Sequence, residues 1–338
     1  MIDAAAYERA SLSELGIPNW SVLVPTYNPT SLLRETLKSA LTALSEAGTS
    51  FELRIVDDAS TTVDVAALIR AWGMEFIPVH KRAFNGGLGR CWNDCIERAE
   101  GHLIHILHQD DLVRPSFYRR VEDLVTKFPG AGMYFCRTEF LVGEHFQLDR
   151  LEQEGDGFLE NWLEKICAGQ RLQCPAVVIP HSTYKEVGGY AVDLKYVIDW
   201  EMWVRIAAAK DVVYLSEALA VYRMHSLAET KRIKSSGATT RDFARAVRKI
   251  KVTLEARRRK DLLRSCKLYA VDSSLLASYA AEEASNFTAA QNEIRDLLRY
   301  FGHSMESRIF LRQLKRLFRL KYKDNCRGPV TEARKMLE

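Results

Sequence analysis

The segment from Trp20 to His108 alternates between short apolar runs and longer runs of helical periodicity. Strand character recurs four times, at 20–25, 51–57, 74–82 and 103–108. Strands that alternate with helices form a mostly parallel sheet whose crossovers are right-handed. The sequence therefore predicts an α/β fold with a mostly parallel central sheet flanked by helices.

The C-terminal third differs from this pattern in both periodicity and charge. From Lys231 onward the sequence is nearly all helical, and it carries 26 Lys and Arg against 12 Asp and Glu, a net charge of +14. The preceding 230 residues carry 22 Lys and Arg against 32 Asp and Glu, a net charge of −10. The two parts are therefore expected to meet different partners. We predict four segments, namely an N-terminal extension, two halves of an α/β domain and a basic helical region, at 1–19, 20–115, 116–230 and 231–338.

Composition excludes several classes of protein. Apolar residues make up 47% and charged residues 27% of the 338 residues, and no apolar run approaches the roughly 18 residues of a membrane span. The N-terminus lacks the apolar core of a secretory signal, which predicts a cytoplasmic protein. Seven cysteines without a pairing pattern fit a reducing compartment. Cys91 and Cys95 share a helix face, but no second pair completes a zinc site.

Polar side chains follow each of the four predicted strands. They are Thr26, Tyr27 and Asn28, then Asp57 and Asp58, then Asn85 to Gly89, then His108 to Asp111. Ligands of such sheets bind beyond the carboxyl ends of the strands. One cluster alone could simply cap the next helix, because Asx residues do this commonly. Four clusters at one edge predict a functional site.

The doubled carboxylate Asp110–Asp111 needs a neutralising partner. A carboxylate pair at a sheet edge suits a hard divalent cation such as Mg²⁺ or Mn²⁺. The alternative is that one of the two caps the turn before Pro115. Asp57 and Asp58 have a similar ambiguity, since one could bind a nucleobase or ribose hydroxyl and the other could cap the chain after Ser60.

Taken in order, these motifs resemble those of the inverting family 2 glycosyltransferases of the GT-A fold. The motifs are VPTYN, IVDDAS, N-G-G with Asn93 downstream, HQDD, VGGY, DWEMWVRI and YRMH, within Trp20 to His225. The resemblance implies inverting transfer of a sugar from a UDP- or dTDP-type nucleotide-sugar donor to an acceptor hydroxyl. It also implies a divalent metal, Mn²⁺ or Mg²⁺, and a glycan or lipid-linked acceptor in surface polysaccharide synthesis.

The resemblance assigns roles to particular residues. It places the nucleotide sugar at Pro25, Thr26, Tyr27, Asp57, Asp58, Asn85, Gly87, Asn93 and Asp110. The metal is expected at Asp110, with Asp111 beside it and His225 as a further contact. Asp199 is the expected general base, which takes the proton of the acceptor hydroxyl. Glu201 is an alternative base, but helical geometry turns it about 200 degrees from Asp199, so only one can face the site.

Two positions depart from the family pattern. His108 stands where the first acid of the D-x-D motif is expected, and Trp92 stands where an arginine usually precedes Asn93. His108 could be a softer extra metal ligand or only a hydrogen-bonding group. These departures leave the expected metal-binding acid, Asp110, in place.

The basic tail, 305–323, has two interpretations. Phe310, Leu314, Leu317 and Phe318 form one stripe, surrounded by Arg308, Arg312, Lys315, Arg316 and Arg319. This pattern is typical of an interfacial helix on an anionic leaflet, and also of a bundle helix with a solvated basic face. Charge alone permits nucleic-acid binding, but the sequence contains no recognised nucleic-acid-binding module. We therefore expect no nucleic-acid partner.

Two rival functions stay open on the sequence. A nucleotidyltransferase uses a similar nucleotide fold, although its G-x-G-T-R-type loop is replaced here by PTYN. A catalytically inactive nucleotide-sugar-binding protein is the other, and the presence of both Asp110 and Asp199 argues against it.

Overall fold

A computed structural model describes residues 19–225, 237–255 and 259–325 of the chain. The chain divides into two compact units. The first comprises Met1–Trp162, Arg171–Asp193 and Arg205–His225, and the second comprises Leu163–Gln170, Leu194–Val204 and Ser226–Glu338. Most of the predicted N-terminal extension lies outside the described residues. The four predicted segment boundaries stay a prediction.

The first unit is built on a sheet of ten described strands. Their bounds are β1 Trp20–Thr26, β2 Phe51–Asp57, β3 Val79–Lys81, β4 Leu103–Ile106, β5 Leu112–Val113, β6 Met133–Val142, β7 His145–Leu148, β8 Gly157–Phe158, β9 Val177–Pro180 and β10 Val212–Met224. The strand order is β3-β2-β1-β4-β9-β6-β10-β5, with β7 beside β6 and β8 beside β10.

The first four strands are parallel, as predicted. β1 pairs with β2 along its whole length, from Trp20↔Phe51 to Thr26↔Asp57, and with β4 from Trp20↔Leu103 to Leu23↔Ile106. β3 is shorter than the predicted 74–82, because only Val79–Lys81 pairs with β2. Met74 and Ile77 are buried ahead of it, so their apolar character reflects core packing in a loop.

The second half of the sheet is mixed. β9 runs antiparallel to both β4 and β6, β10 runs parallel to β6, and β5 runs antiparallel to β10. The polar segment 143–157 contains a further strand, β7. Val142 pairs with His145, so Gly143 and Glu144 form a two-residue turn, and Gly143 has a φ of +63° that suits glycine.

Seven described helices lie wholly or partly in the first unit. Their bounds are α1 Leu32–Ala47, α2 Val65–Ala71, α3 Leu88–Arg98, α4 Phe117–Lys127, α5 Trp162–Cys167, α6 His181–Val187 and α7 Ile198–Ala209. α1 ends at Gly48, whose φ is +65°, and Asp64 caps α2 by accepting the amide of Ala67 at 3.1 Å. Apolar faces of α1 and α4 pack on the sheet around Trp20, Leu33 and Phe117.

The second unit is helical where it is described. After the short segments it shares with α5 and α7, it contains α8 Thr239–Thr253, α9 Arg259–Glu283, α10 Phe287–Phe301 and α11 Ser307–Asn325. Trp200, Phe243 and Tyr269 form an edge-to-face aromatic cluster with ring centroids 5.2–5.7 Å apart. Such rings dominate core energetics, so this cluster anchors the unit.

The basic helix α11 packs within the second unit. Leu317 and Leu320 join a buried cluster with Ala290 and Ile294, and Arg316 lies 3.6 Å over the ring of Tyr279. Arg308, Arg312, Lys315 and Arg319 are exposed, whereas the side chain of Phe318 lies outside the described residues. Part of the predicted apolar stripe is therefore covered by the bundle. Over the described residues, no helix has the length and apolar character needed to cross a membrane.

His105 is a buried polar group at the centre of the sheet. Its Nδ1 lies 3.1 Å from the hydroxyl of Tyr118 and its Nε2 lies 3.0 Å from the carbonyl oxygen of Pro175. The carbonyl only accepts, so Nε2 carries the proton and Nδ1 accepts from the hydroxyl. Burial lowers the pKa of His105 to about 3. The imidazole is therefore neutral in the folded protein.

The neutral state of His105 predicts a loss of stability on mild acidification. The unfolded chain binds this proton near its ordinary pKa of about 6.5, so the free energy of unfolding falls as pH drops below that value, by about 2 kcal/mol between pH 7 and 5. His105→Phe should remove this component, and urea titrations of both proteins across this range would measure it. His145→Gln, at an exposed position on β7, should keep the wild-type slope. Equal slopes in wild type and His105→Phe would contradict the assignment.

Candidate functional site

The loop between β4 and β5 gathers three metal-ligating side chains. His108, Asp110 and Asp111 each offer one ligand atom, and these atoms all lie within 4.8 Å of one another. Among the described residues this is the group with the donors and spacing of a cation site. It coincides with the sequence expectation for Asp110 and Asp111 and adds His108 to it.

Asp111 is buried and only partly satisfied. Its Oδ1 accepts the backbone amide of Arg223 at 2.9 Å, while its Oδ2 is buried without a hydrogen-bond partner and lies 3.6 Å from Nδ1 of His108. Burial, reinforced by the charge of Asp110, raises the pKa of Asp111 well above its ordinary value. The carboxylate therefore caps the β10 backbone, and not the turn before Pro115.

Asp110 faces His225 across the sheet. Its Oδ2 lies 2.8 Å from Nε2 of His225, and both side chains are about a quarter exposed. The antiparallel pairing of Leu112 with Val221 explains the contact, because the same register carries the end of β10 back toward the loop. The structure thus places Asp110 and Asp111 in one cluster with His108, and it places His225 against Asp110 without adding it to that cluster. The metal-binding role of all three predicted residues stays a prediction.

The donor set fits a divalent cation. Nε2 of His108 and Oδ2 of Asp111 are both buried atoms without hydrogen-bond partners, and buried polar atoms are rarely left unpaired. Burial lowers the pKa of His108, so its imidazole is neutral and able to donate a lone pair. Two carboxylates and one imidazole would hold Mn²⁺, and the carboxylates alone would suit Mg²⁺.

The two aspartates after β2 have distinct structural tasks. Asp57 accepts the amide of Ser60 at 3.2 Å and its hydroxyl at 2.5 Å, so it closes the turn after the strand. Asp58 accepts the amides of Gly86 and Gly87, each at 2.9 Å, and also pairs with Arg82. Asp58 therefore fixes the glycine loop that precedes α3.

Three further predicted residues lie around these strand ends. Pro25 and Thr26 end β1, and the Thr26 hydroxyl lies 3.5 Å from Oδ1 of Asp57. Tyr27 is 44% exposed, and Gln109 braces its backbone by accepting its amide at 3.0 Å and donating to its carbonyl at 3.3 Å. Sequence reasoning missed Gln109, although its place inside HQDD was a signal.

Asn85 and Gly87 lie together at the start of α3. Oδ1 of Asn85 accepts the amide of Gly87 at 3.1 Å, and Gly87 has a φ of +78°, a conformation that favours glycine. The pair shapes an exposed loop whose backbone is open to close approach. Both stay predicted donor-binding residues.

Asn93 is engaged with the VGGY turn. Its Oδ1 accepts the amide of Tyr190 at 2.7 Å and its Nδ2 donates to the carbonyl of the same residue at 3.0 Å. Arg205 braces the turn from α7, donating to the carbonyls of Val187 at 2.7 Å and Gly189 at 2.8 Å. Asn93 serves the turn, and its nucleotide contact stays a prediction. Arg205 was missed as a positioning residue.

The expected base, Asp199, lies near the start of α7 and belongs to the second unit. It is half-buried, its Oδ1 accepts the amide of Trp200 at 2.8 Å, and its Oδ2 accepts Nε2 of Gln170 at 2.6 Å. Glu201 is buried, at 2% exposure. The partial exposure of Asp199 is the property that a base needs to meet an acceptor hydroxyl. Gln170 was not anticipated from the sequence.

Comparison with known proteins finds one matching family model and similar proteins in other organisms. Residues 21–169 match the family described as Glycosyl transferase family 2. An uncharacterized protein of Mycobacterium tuberculosis is 27% identical over 246 residues, covering 65% of this chain and 71% of that protein. An uncharacterized glycosyltransferase of Rickettsia typhi is 24% identical over 221 residues, covering 63% and 66%. The chain spans about two thirds of the length of the latter relative.

Two solved structures share the architecture. S. aureus TarS in complex with UDP-GlcNAc matches with a TM-score of 0.62 and 19% identity, covering 82% of this chain and 81% of that one. The mannosyltransferase PcManGT from Pyrobaculum calidifontis, in complex with GDP-Man and Mn²⁺, matches with a TM-score of 0.55 and 15% identity, covering 84% and 76%. At these identities the likeness concerns the fold alone, and it confirms the predicted GT-A fold.

The contact between Gly189 and Asn93 predicts a coupled pair of substitutions. A Cβ at Gly189 would lie 2.4 Å from Oδ1 of Asn93, so Gly189→Ala must displace that side chain and break its two bonds to Tyr190. We expect each of Gly189→Ala and Asn93→Ala to lower the free energy of unfolding by about 1–3 kcal/mol, and the double variant to cost little more than Asn93→Ala alone.

Denaturant titrations of the four proteins would measure this coupling. Gly169→Ala is the matched control, because a Cβ there meets Tyr269 at an ordinary 3.5 Å. Additive costs in the double variant would show that Gly189 does not accommodate Asn93.

Proposed function

Because residues 21–169 match the family model of glycosyl transferase family 2, we propose that the chain belongs to this family and transfers a sugar from a nucleotide-sugar donor to an acceptor hydroxyl with inversion at the anomeric carbon. The observation that carries the proposal is the His108, Asp110 and Asp111 cluster, with its unpartnered buried oxygen, at the carboxyl end of parallel strands. Nucleotide ligands of α/β sheets bind at that edge. The UDP-GlcNAc and GDP-Man complexes of the structural relatives support a nucleotide-sugar donor of UDP- or dTDP-type or similar chemistry.

The proposed metal site is formed by Asp110, Asp111 and His225, with His108 beside them. A bound Mn²⁺ or Mg²⁺ would supply Lewis-acid stabilisation of the charge on the leaving diphosphate. The carboxylate Oδ2 of Asp111 is the oxygen best placed to bind the cation, since it is buried in the cluster and has no hydrogen-bond partner among the described residues. The Mn²⁺ in the PcManGT complex supports the choice of metal class.

The donor's nucleotide is proposed to lie along the strand ends. The exposed ring of Tyr27 and the loop of Asn85 and Gly87 offer an aromatic face and an accessible backbone. Asp58 holds that loop in place through two amides. The remaining proposed contacts come from Pro25, Thr26, Asp57, Asn93 and Asp110.

Asp199 is the proposed general base. Its carboxylate takes the proton of the acceptor hydroxyl while that oxygen bonds to the anomeric carbon, and the bond from this carbon to the diphosphate breaks on the opposite side. Gln170 orients the carboxylate by donating its Nε2 hydrogen to Oδ2. Attack from the face opposite the leaving group inverts the configuration.

The acceptor is proposed to be a glycan or a lipid-linked saccharide of surface polysaccharide synthesis. The exposed basic residues of α11 support a peripheral contact between 305–323 and the anionic inner face of the cell membrane. Because Leu317 and Leu320 are buried in the bundle, this contact would be electrostatic, with little apolar insertion. A cytoplasmic location is compatible with this class of acceptor and with contact at the inner face of the membrane.

A nucleotide-binding screen tests the donor proposal. We expect nucleoside diphosphates and their sugars to raise the melting temperature in the presence of Mn²⁺, with less effect without it, because ligand binding stabilises the folded state by about 2.7 kcal/mol at a hundredfold excess over Kd. Differential scanning fluorimetry with uridine, thymidine and guanosine diphosphates would measure the shift. Asp110→Asn should weaken the metal-dependent part. The absence of any shift with every nucleotide would refute the donor proposal.

Substitution of Asp199 tests the proposed base. Asp199→Asn should reduce sugar transfer, or hydrolysis of the donor that the screen identifies, by roughly 10²–10⁴-fold. Donor affinity should be unchanged, because the lost carboxylate acts only on the proton of the acceptor. Release of nucleoside diphosphate measures turnover, and calorimetry measures donor binding.

Two further variants make this result specific. Asp272→Asn, an exposed acid on α9, is the matched control and should keep wild-type turnover. Glu201→Gln distinguishes the alternative base. Wild-type turnover in Asp199→Asn, with loss in Glu201→Gln, would transfer the role to Glu201.

A further inference from the structure

The two positions at which this chain departs from the family pattern are in direct contact. The ring of Trp92 stacks on the imidazole of His108 with centroids 5.0 Å apart and an interplanar angle of 23°. Both residues belong to the first unit, on α3 and on the loop after β4. The departures therefore form one structural feature, in which an aromatic face supports an imidazole.

Trp92 is itself held firmly. It is buried, at 2% exposure, and it packs edge to face against Tyr190 with centroids 4.8 Å apart. Tyr190 is fixed in turn by its two backbone hydrogen bonds with Asn93, one donated and one accepted, and by the hydroxyl of Tyr184 at 3.4 Å. The stack therefore sets both the plane and the position of the His108 ring.

Within the described part of the chain, neither nitrogen of His108 has a hydrogen bond that would explain the orientation of the ring. Nε2 is buried without a partner among the described residues. Nδ1 lies 3.6 Å from Oδ2 of Asp111, which is beyond hydrogen-bonding distance. A buried nitrogen left in this state is costly, unless a ligand takes its lone pair.

The partner atoms around His108 are those of a cation site. Oδ2 of Asp111 is buried and equally unpartnered, and a carboxylate oxygen of Asp110 completes the group within 4.8 Å. An imidazole nitrogen favours first-row transition metals, whereas Mg²⁺ prefers oxygen ligands only. We propose that His108, positioned by the Trp92–Tyr190 stack, is a nitrogen ligand of the divalent cation and makes the site prefer Mn²⁺ or Co²⁺ to Mg²⁺.

This inference rests on the metal use in the proposed function, and it adds a selectivity that the carboxylates alone do not provide. His225 offers a second imidazole, but its Nε2 already contacts Oδ2 of Asp110 at 2.8 Å. The two histidines therefore differ in a testable way. His108 has an unengaged nitrogen, and His225 has one occupied by a carboxylate.

Electron spin echo spectroscopy of the Mn²⁺-loaded full-length protein tests the ligand directly, since a coordinated imidazole nitrogen modulates the echo. We expect nitrogen modulation in wild type, in His225→Gln and in His145→Gln, the exposed control. It should be absent from the double variant His108→Asp/His225→Gln. Loss of all modulation in His225→Gln alone would assign the nitrogen to His225 and overturn the proposal.

Competition between Mn²⁺ and Mg²⁺ tests the selectivity. His108→Asp should lower the ratio of Mn²⁺ to Mg²⁺ affinity by about tenfold, because an oxygen ligand replaces nitrogen. Trp92→Leu as a single substitution should weaken Mn²⁺ binding by about tenfold, as expected for a residue that orients a ligand. The same substitution added to His108→Asp should cause no further loss of Mn²⁺ affinity. An unchanged affinity ratio in His108→Asp would overturn the proposal.

The outcomes separate this inference from the proposed function. His108→Asn serves as a second variant if the aspartate does not fold, and circular dichroism verifies the fold of each. Wild-type protein that binds neither Mn²⁺ nor Mg²⁺ would refute both the metal use and the ligand role. Cation binding with the same nitrogen modulation in His225→Gln and in the double variant would refute only the role of His108.

Discussion

The parallel register of β1 between β2 and β4 is the constraint on which the site depends. Thr26 pairs with Asp57 at the end of β1, and Leu23 pairs with Ile106 just before the HQDD loop. Parallel pairing aligns the carboxyl ends of the strands, and a one-residue slip would move alternate side chains to the other face. The buried residues of these strands resist such a slip, so the polar ends of three strands stay close together.

Each acid at this edge is neutralised differently, and the differences indicate which of them has a ligand to meet. Asp57 is satisfied by Ser60, and Asp58 by Arg82 and two glycine amides. Those two carboxylates shape the loops. Asp111 keeps one buried oxygen unpaired, and over the described residues Asp110 is joined only to His225. The least neutralised carboxylates are therefore Asp110 and Asp111, at the place where a bound cation would balance their charge.

The turn at VGGY links distant motifs within the first unit. Asn93 from α3 and Arg205 from α7 both bind its backbone, and Tyr190 carries the contact on to Trp92. Residues that look like ligand contacts in a motif, such as Asn93, can thus act by holding another segment. The aromatic stack then reaches His108, so that one packed chain of contacts supports its imidazole.

The sequence alone was sufficient for the first half of the fold and for the GT-A architecture. Alternating strand and helix patterns predicted the parallel strands, and the ordered motifs predicted the GT-A architecture, because both are local signals repeated along the chain. The sequence also marked Asp110, Asp111 and His225 as one group. The mixed second half of the sheet was not predicted, because the pairing of β9 and β10 depends on partners far away in the chain.

Only the tertiary structure decided what the individual side chains do. It assigned Asp57 and Asp58 to loop bracing, paired Asn93 with Tyr190, and placed Trp92 against His108. Apart from the local turn between Asp57 and Ser60, these contacts join residues 16 to 97 positions apart, and a sequence pattern carries no distance between them. The sequence determined which chemical groups reach the sheet edge, since periodicity fixes the strands. Packing decided which of those groups are left unpaired, because that depends on every neighbour that the fold supplies.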